Sequence, residues 1–552
     1  MRYFDIGRNQ LQVMIKRPLY NTIILLLCIL FVFYLIISYN YPGEDCYITF
    51  RYVENFIAGK GLVYNTGERV EGYSDFLWLM LLAFFRWLGF SPIIISRILG
   101  LVSTVLLLWV ASYYSLKKKQ RKIEWIYLAT PLLIFFNPML HYHHGRGLET
   151  SFYAFLFIWA AFSFKRRNYA NSSIAFAAMA LLRPEGFIYF WLVLPMLFMD
   201  IKYSRTEKFP YSLPLVRLRF FVPYLLIVGS FFIWRLSYYG RLFPNSVYAK
   251  TEPFNFLWNP SLHDLLQFII SWSYIPVFAL LAVFTYHKEE WEIQRSLLIP
   301  MLLGGGVLFF TIAVGKVQAE PFQHYIPLIP IIILLLQEFL RAMKMRVDNN
   351  LPLIIGFFVI FQILNLYTSN NLDSPKTRLH SRTFQYLFSW NFPARISWYF
   401  DTMPSLLNGD AGKWCKQNLP PDSIIAADQI GQLGYYSGHR ILDILGITDK
   451  EFASKGYSLE LLLDRNPQAD YLAILSFLGD KKPYIWEIRE SFEKPAFTEK
   501  YQLRWILRPR NTYDKTEFLI YARRDLIPDA PPEPEIIKIG PNTAEWVSKM
   551  RV

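Results

Sequence analysis

Residues 21–56 read "NTIILLLCILFVFYLIISYNYPGEDCYITFRYVENF", an apolar run that ends in two adjacent acids. The run 21–39 is long enough to cross a hydrocarbon core of about 30 Å. It exceeds the apolar region of a signal peptide, about 7–15 residues, and no small-x-small site follows, so it predicts an uncleaved signal anchor. Anchoring does not require Glu44 and Asp45, and we interpret them as the chemical centre of a membrane-embedded enzyme.

Apolar runs recur along the chain. Hydrophobic residues make up 53% of the 552 and charged residues 18%, whereas about a quarter of a soluble protein is charged. Many runs are roughly 17–24 residues long, which is enough to span a bilayer. We therefore predict an α-helical polytopic membrane protein. The net charge of +14 does not indicate nucleic acid binding, because the basic residues collect in short loops between these runs.

The basic loops set the predicted topology. Lys and Arg concentrate in cytoplasmic loops, and clusters such as "KKKQRK" (117–122) and "KRR" (165–167) are therefore placed inside. About eleven spans result, with the N-terminus inside and the C-terminus outside. The predicted spans are 21–39, 91–115, 124–140, 148–164, 169–182, 187–200, 219–239, 265–286, 296–315, 325–341 and 351–368.

The first outer loop, residues 40–90, is predicted to hold two surface-lying helices. The segment 74–90 is apolar but short and carries Arg86, so we interpret it as interfacial. In 47–58 an apolar face that includes Tyr52 and Phe56 lies opposite a polar face of Thr49, Arg51, Glu54 and Asn55.

Beyond residue 370 no run could span, and charged residues return. The apolar stretches "DSIIAAD", "HRILDILG", "ADYLAIL" and "TEFLIYARR" predict strands, and "DAGKWCKQNL" predicts a helix. The sequence thus predicts a membrane domain over 1–370 and an extracytoplasmic soluble α/β domain over 371–552, which ends in an extended proline-rich segment, "PDAPPEPE".

Ionisable residues gather at the outer ends of the predicted spans. Such residues are costly at membrane depth and usually mark a site. The stretches that supply them are "GEDCYITFR", "HYHHGRGLET", "RPEG", "PNSVYAK" and "EPFQHY". The H-x-H-H spacing matches no recognised zinc pattern, and the three cysteines lack metal spacing, although Cys46 and Cys415 could pair outside the membrane. No Walker loop or dinucleotide fingerprint is present.

A carboxylate pair beside cations at the outer membrane surface suits transfer of a sugar from a lipid phosphate. Cations stabilise the departing phosphate, and a carboxylate takes the proton of the acceptor hydroxyl. Attack opposite the phosphate inverts the anomeric centre. The phosphate leaves already charged, so no separate general acid is required.

The motifs resemble those of GT-C glycosyltransferases, and in particular the terminal β-(1→2)-arabinofuranosyltransferase family. The similarity is carried by "EDCYITFRYVENFIAGKGLVYNTGERVEGYSDFLW" and by the later stretches "GLET", "LRPEG", "PNSVYAK", "HYIPLIP" and "YYSGHRILDILGITD". The resemblance covers most of the chain. It implies a GT-C fold, a polyprenyl-phosphate sugar donor and an inverting mechanism.

The resemblance also implies site residues. Its catalytic carboxylate falls on Glu44 or Asp45, and Glu44 stands where the family usually has Asp. The predicted ligands of the donor phosphate are Arg183, Lys250, Arg51 and His324. Sugar or acceptor contacts are predicted for Glu71, Glu149, Tyr73, His144, Asn245 and Tyr248.

The predicted partners are the lipid-linked donor, a glycan or glycolipid acceptor and the bilayer of a bacterial plasma membrane, with the active site outside. No cofactor or metal is predicted, and a divalent cation is the alternative. The sugar stays open, because this chain is rich in Ile, Phe, Lys and Asn, unlike the proteins of arabinan-making actinobacteria. A transporter and a lipid-linked phosphotransferase are the alternative functions.

Overall fold

A computed structural model describes most of the chain. The described residues are 18–37, 42–114, 125–135, 137, 140, 143–204, 213–250, 291–314, 323–344, 406–510, 516–529 and 531–541. The helices before residue 345 are α1 Pro18–Ile37, α2 Cys46–Ile57, α3 Phe76–Trp87, α4 Pro92–Tyr114, α5 Ala129–Phe135, α6 Thr150–Lys165, α7 Tyr169–Leu182, α8 Gly186–Leu192, α9 Leu194–Ser204, α10 Leu213–Tyr239, α11 Asn245–Lys250, α12 Trp291–Val314 and α13 Leu328–Lys344.

The later elements alternate between helix and strand. The helices are α14 Leu406–Asn418, α15 Gly431–Ser437, α16 Lys450–Lys455, α17 Leu459–Leu463, α18 Trp486–Arg489 and α19 Pro495–Thr498. The strands are β1 Ile424–Ala427, β2 Arg440–Asp443, β3 Tyr471–Phe477, β4 Tyr501–Pro509, β5 Thr516–Arg523 and β6 Glu535–Ile539.

The apolar runs form helices wherever the structure describes them. Nine of the eleven predicted spans fall on α1, α4–α10, α12 and α13, and the predicted spans 265–286 and 351–368 lie outside the described residues. By length and hydropathy, two described helices could cross a membrane, Pro92–Tyr114 and Val216–Tyr239, and further apolar helices are shorter. The apolar helices fit a membrane protein, and the count of eleven stays a prediction.

Both predicted helices of the first outer loop form, as α2 and α3. The predicted polar face of α2 is only partly exposed, because Thr49 and Arg51 are buried. The side of α2 that carries these residues packs against α15, and Arg51 bonds to the carbonyl of Gly434 there. Glu54 forms an ion pair with Arg86 of α3, with 3.0 Å between the Arg86 Nε and the Glu54 Oε1.

The C-terminal strands form one six-stranded sheet in the order β2-β1-β3-β5-β4-β6. β1 pairs in parallel with β2 and β3, and β5 is antiparallel to β3 and β4. β1 and β3 are near-continuous apolar runs because parallel strands are buried on both faces. One face packs on a core that includes Leu472, Ile474, Phe497 and Leu519.

The four predicted strands correspond to β1, β2, β3 and β5, and the predicted helix at "DAGKWCKQNL" corresponds to α14. β4 and β6 were not predicted. In β4 arginines interrupt the apolar residues, and β6 directly follows the proline-rich segment, whose last residue, Glu535, begins the strand.

The chain divides into two compact units. One comprises Met1–Tyr41, Ser96–Ile233 and Glu252–Leu387, and the other comprises Pro42–Ile95, Trp234–Thr251 and Phe388–Val552. The first outer loop therefore belongs with the sheet. In this sheet-containing unit, the Asn65 side chain pairs with Ile441 on β2, because its Nδ2 donates to the carbonyl (2.8 Å) and its Oδ1 accepts from the amide (3.1 Å).

Candidate active site

Glu44 lies just before α2 and is held by the start of α15. Its Oε1 accepts a hydrogen bond from the backbone N–H of Gln432 at 3.0 Å. The residue keeps some surface exposed, but Oε2 is fully buried and accepts no hydrogen bond from a described residue. This burial raises the pKa of Glu44 to about 8, although the Asn408 side chain and the amides of Gly431 and Gln432 favour the charged form. The carboxyl is therefore mostly protonated at neutral pH.

Asp45 differs from its neighbour. It is half-buried and stands at the N-cap position of α2, but its side chain makes no capping hydrogen bond. Within the part of the chain that the structure describes, its carboxylate forms no hydrogen bond and no ion pair. Of the two predicted catalytic acids, Asp45 is thus the one with free acceptor atoms.

Arg51 was predicted to bind the donor phosphate, and its contacts argue against that role. Nε donates to the carbonyl of Tyr64 at 2.9 Å, Nη1 donates to that of Gly434 at 2.5 Å, and Nη2 donates to that of His439 at 2.6 Å. Nη2 also donates to Asn65 Oδ1 at 3.2 Å. Four of the five N–H groups of a guanidinium are therefore used, and Arg51 braces the fold.

Glu71 was predicted to contact sugar hydroxyls, but it is buried against Arg235 of α10. The Arg235 Nε lies 3.2 Å from its Oε1 and 3.0 Å from its Oε2. Burial raises the pKa of Glu71 to about 7, although the neighbouring guanidinium opposes the shift. Glu71 is therefore engaged in an internal ion pair.

Tyr73 and Asn245 were also predicted to contact the sugar or acceptor, and both are buried and engaged. The Tyr73 hydroxyl lies 3.0 Å from that of Tyr239. Asn245 Nδ2 donates to the carbonyls of Gly446 (2.7 Å), Ile447 (3.2 Å) and Asp449 (3.0 Å). Asn245 therefore holds residues 446–449 in place. Neither Tyr73 nor Asn245 offers a free surface to a sugar.

Tyr248 keeps an exposed ring, with 38% of its surface accessible. The guanidinium of Arg241 lies 4.9 Å from the ring centroid. Tyr248 therefore remains available for an acceptor sugar.

Lys250 is the last residue of α11, and its side chain lies outside the described part, so its predicted phosphate contact stays a prediction.

In the helical unit, Arg183 is the centre of a buried charge cluster between α7 and α8. Its Nε lies 3.4 Å from Glu149 Oε1 and 3.0 Å from Glu185 Oε1. Its Nη1 is buried and has no hydrogen-bond partner in the described structure. His324 borders this cluster, with its Nδ1 3.7 Å from the Glu185 Oε1.

The structure therefore brings Arg183, His324 and Glu149 together. Glu185 was not predicted as a site residue, although it stands two positions after Arg183 in the same turn, which is the signal that could have found it. The fourth predicted residue of the helical unit, His144, is buried, and its carbonyl packs so closely on Gly100 that a Cβ there would overlap it.

The three cysteines are free and buried, so Cys46 and Cys415 do not form the disulfide that the sequence allowed. The absence of a cofactor and the alternative of a divalent cation both stay predictions.

Solved structures show the fold. ArnT from Cupriavidus metallidurans bound to undecaprenyl phosphate is similar with a TM-score of 0.54 over 91% of this chain and 97% of that one, at 12% identity. The Archaeoglobus fulgidus oligosaccharyltransferase is similar with a TM-score of 0.50 over 93% of this chain and 75% of that one, at 11% identity. The chain has the GT-C fold. At 11–12% sequence identity the similarity shows a shared fold and nothing about function.

A curated sequence relative is the terminal β-(1→2)-arabinofuranosyltransferase of Mycobacterium tuberculosis. It is 28% identical over 233 residues, which are 38% of this chain and 34% of the relative. The match thus spans about a third of the relative's length. A family model described as a domain of unknown function (DUF8728) matches residues 400–523.

These comparisons confirm the resemblance predicted from the motifs, both to GT-C glycosyltransferases and to the terminal arabinofuranosyltransferase. They leave the roles of individual residues as proposals.

Proposed function

We propose that the protein is an inverting glycosyltransferase. It moves a sugar from a polyprenyl-phosphate donor to a cell-envelope glycan or glycolipid at the outer face of a bacterial plasma membrane, where the C-terminal domain also lies. The observation that carries the proposal is the half-buried Asp45 at the start of α2, whose carboxylate has no hydrogen bond or ion pair to a described residue, on a chain with the GT-C fold.

Asp45 is the proposed general base. Its carboxylate accepts the proton of an acceptor hydroxyl while that oxygen attacks the anomeric carbon. The bond from the anomeric carbon to the phosphate oxygen breaks, and polyprenyl phosphate leaves with the electron pair. Glu44 is not the base in this proposal, because it is mostly protonated at neutral pH and already bonded to Gln432.

Arg183 is the better supported of the proposed phosphate ligands. Glu149 and Glu185 hold its Nε, which fixes the plane of the guanidinium. The buried Nη1 still needs an acceptor, and a phosphate oxygen would supply one. The two carboxylates lower the local positive potential, so we propose that His324, which lies near Glu185 in the same unit, shares the charge of the phosphate. Lys250 stays a predicted ligand.

The sugar is proposed at the level of its class, a pentose or a hexose, with arabinofuranose favoured by the Mycobacterium tuberculosis relative. Tyr248 is proposed to contact the acceptor because its ring is exposed. The reaction needs no cofactor in this scheme, since the leaving phosphate is already charged.

The test is an incubation of the purified protein with polyprenyl-phosphate sugars and a glycan acceptor. Glycosylated acceptor and free polyprenyl phosphate should appear together in equal amounts. A phosphorylated acceptor would indicate the phosphotransferase instead. Donor that crosses a vesicle membrane unchanged would indicate a transporter.

A further inference from the structure

Two glycines of α15 allow the first outer loop to come closer to the backbone of this helix than any residue with a Cβ would. A Cβ on Gly431 would overlap the carbonyl oxygen of Glu44, and a Cβ on Gly434 would overlap the hydroxyl of Tyr64 and press on Arg51. At these two positions the first outer loop therefore reaches the backbone of α15 directly, through the Glu44 carbonyl at Gly431 and through the Tyr64 and Arg51 side chains at Gly434.

Hydrogen bonds fasten the loop to α15 along its length. Gln432 donates its N–H to Glu44 (3.0 Å), and Tyr64 donates its hydroxyl to the carbonyl of Ile430 (2.5 Å). Arg51 binds the carbonyl of Gly434 from the second turn of α2. These bonds are buried or partly buried, and a donor or acceptor left unpaired in such a place is costly.

Aromatic contacts complete the interface. The ring of Tyr47, on the first turn of α2, lies 5.4 Å from that of Tyr435 and 5.6 Å from that of Tyr436, measured between centroids. The Tyr435 hydroxyl also donates to Glu54 at 3.4 Å. Contacts before α2, at its first turn and at its second turn together fix both the position and the rotation of its start.

Asp45 lies inside this set of contacts, but its side chain makes no hydrogen bond to any residue that the structure describes. A base must be held close to its productive geometry, and a misplacement of about 1 Å can cost about 10²-fold in rate. The position and orientation of the Asp45 carboxylate therefore depend on the residues on either side of it.

We infer that α15 positions the base, and that Glu44 and Arg51 are positioning residues that connect α15 to Asp45. The inference rests on the function proposed above. It assigns a role in the chemistry to the C-terminal part of the chain, through the single helix Gly431–Ser437. Glu44 acts through its hydrogen bond to Gln432 and takes no proton from the acceptor.

The first test compares two replacements of Glu44. E44A removes the acceptor for the Gln432 N–H, so kcat should fall about 10²-fold while the donor KM changes less than threefold. E44Q keeps a carbonyl oxygen at the same place and should restore at least a tenth of the turnover. If E44Q is as inactive as E44A while D45N retains turnover, Glu44 is the base and the inference is wrong.

The second test separates positioning from stability. G434A should displace Tyr64 and Arg51 and lower kcat by about 10²-fold, again with the donor KM nearly constant. The control is L519A, which opens a cavity in a sheet core that includes no residue of α15 and should lower Tm with kcat unchanged. If G434A and L519A lower Tm equally and neither changes kcat, α15 only stabilises the fold, and the inference is overturned.

A wild-type protein that transfers no sugar would contradict the proposed function rather than the interface. Hydrogen exchange of residues 46–57 then tests the inference without turnover. Exchange that is faster in G434A than in L519A supports it, and equal exchange overturns it.

Discussion

Two buried arginines, one in each unit, show how scaffold and site can be told apart. In the sheet-containing unit, Arg51 donates four hydrogen bonds, three to backbone carbonyls and one to the Asn65 side chain. In the helical unit, Arg183 has its Nε near two carboxylates and a buried Nη1 without a described partner. Both came from the same sequence argument, but only the second retains the capacity to bind an anion.

The acids of the first loop show the same contrast. Glu44 is bonded to Gln432 and mostly protonated, whereas the Asp45 carboxylate has no hydrogen-bond partner among the described residues. Replacement of Asp45 should therefore have the largest effect. We expect D45N to lower kcat by about 10²–10⁴-fold, the usual contribution of a general base, in the transfer assay. The control is D422N, an exposed aspartate of the C-terminal part, which should leave kcat within twofold of wild type.

Removal of the Arg51 guanidinium should affect stability rather than substrate. R51A leaves buried carbonyls of Tyr64, Gly434 and His439 without donors, and we expect a loss of about 2–5 kcal/mol in unfolding free energy. Thermal unfolding in detergent would measure it. If R51A kept the wild-type Tm but lost donor binding, Arg51 would be a phosphate ligand after all.

Arg183 should respond in the opposite way. R183K keeps the positive charge but loses the fork geometry, so the donor KM should rise about tenfold with a smaller change in Tm than in R51A. Binding of a polyprenyl-phosphate analogue would measure the loss. Unchanged analogue affinity in R183K would remove Arg183 from the proposed site.

The pH dependence should be smaller still. The pKa of Glu44 is raised from 4.5 to about 8, so the stabilisation from its neutral form is complete below about pH 4.5 and is lost as the pH rises through 8. We expect the Tm of the wild type to fall more than that of E44Q between pH 5 and 9. Glu71, Asp428 and Asp443 also have raised pKa values, and they contribute equally to both proteins. Parallel pH curves would contradict the raised pKa of Glu44.

Removal of metal should have the smallest effect. Because the phosphate leaves already charged, EDTA should change the transfer rate less than twofold. A loss that Mg²⁺ or Mn²⁺ restores would favour the alternative of a divalent cation.

Local patterns predicted the elements well. Long apolar runs predicted the helices, and short apolar runs predicted β1, β2, β3 and β5. Both patterns can be read from neighbouring residues in the sequence. β4 was missed because Arg504 and Arg508 break its pattern. The motifs also led to the GT-C fold, which the solved structures show.

The roles of individual polar residues were harder to predict. Arg51 bonds to residues about 390 positions away and Asn245 to residues about 200 away, and no local pattern in one sequence reveals such partners. A single sequence motif therefore mixed residues that hold the loop in place with residues, such as Asp45, whose side chains have no partner among the described residues.

The pairing of Asn65 with Ile441 has a practical consequence. β2 is an outer strand of the sheet, and this side chain occupies hydrogen-bonding groups on its open side. A fragment cut near residue 400 would lose that cover and present a bare strand edge, which invites pairing with another copy. Anyone who wishes to produce the C-terminal part by itself should therefore plan for aggregation, or supply the first loop as a separate peptide.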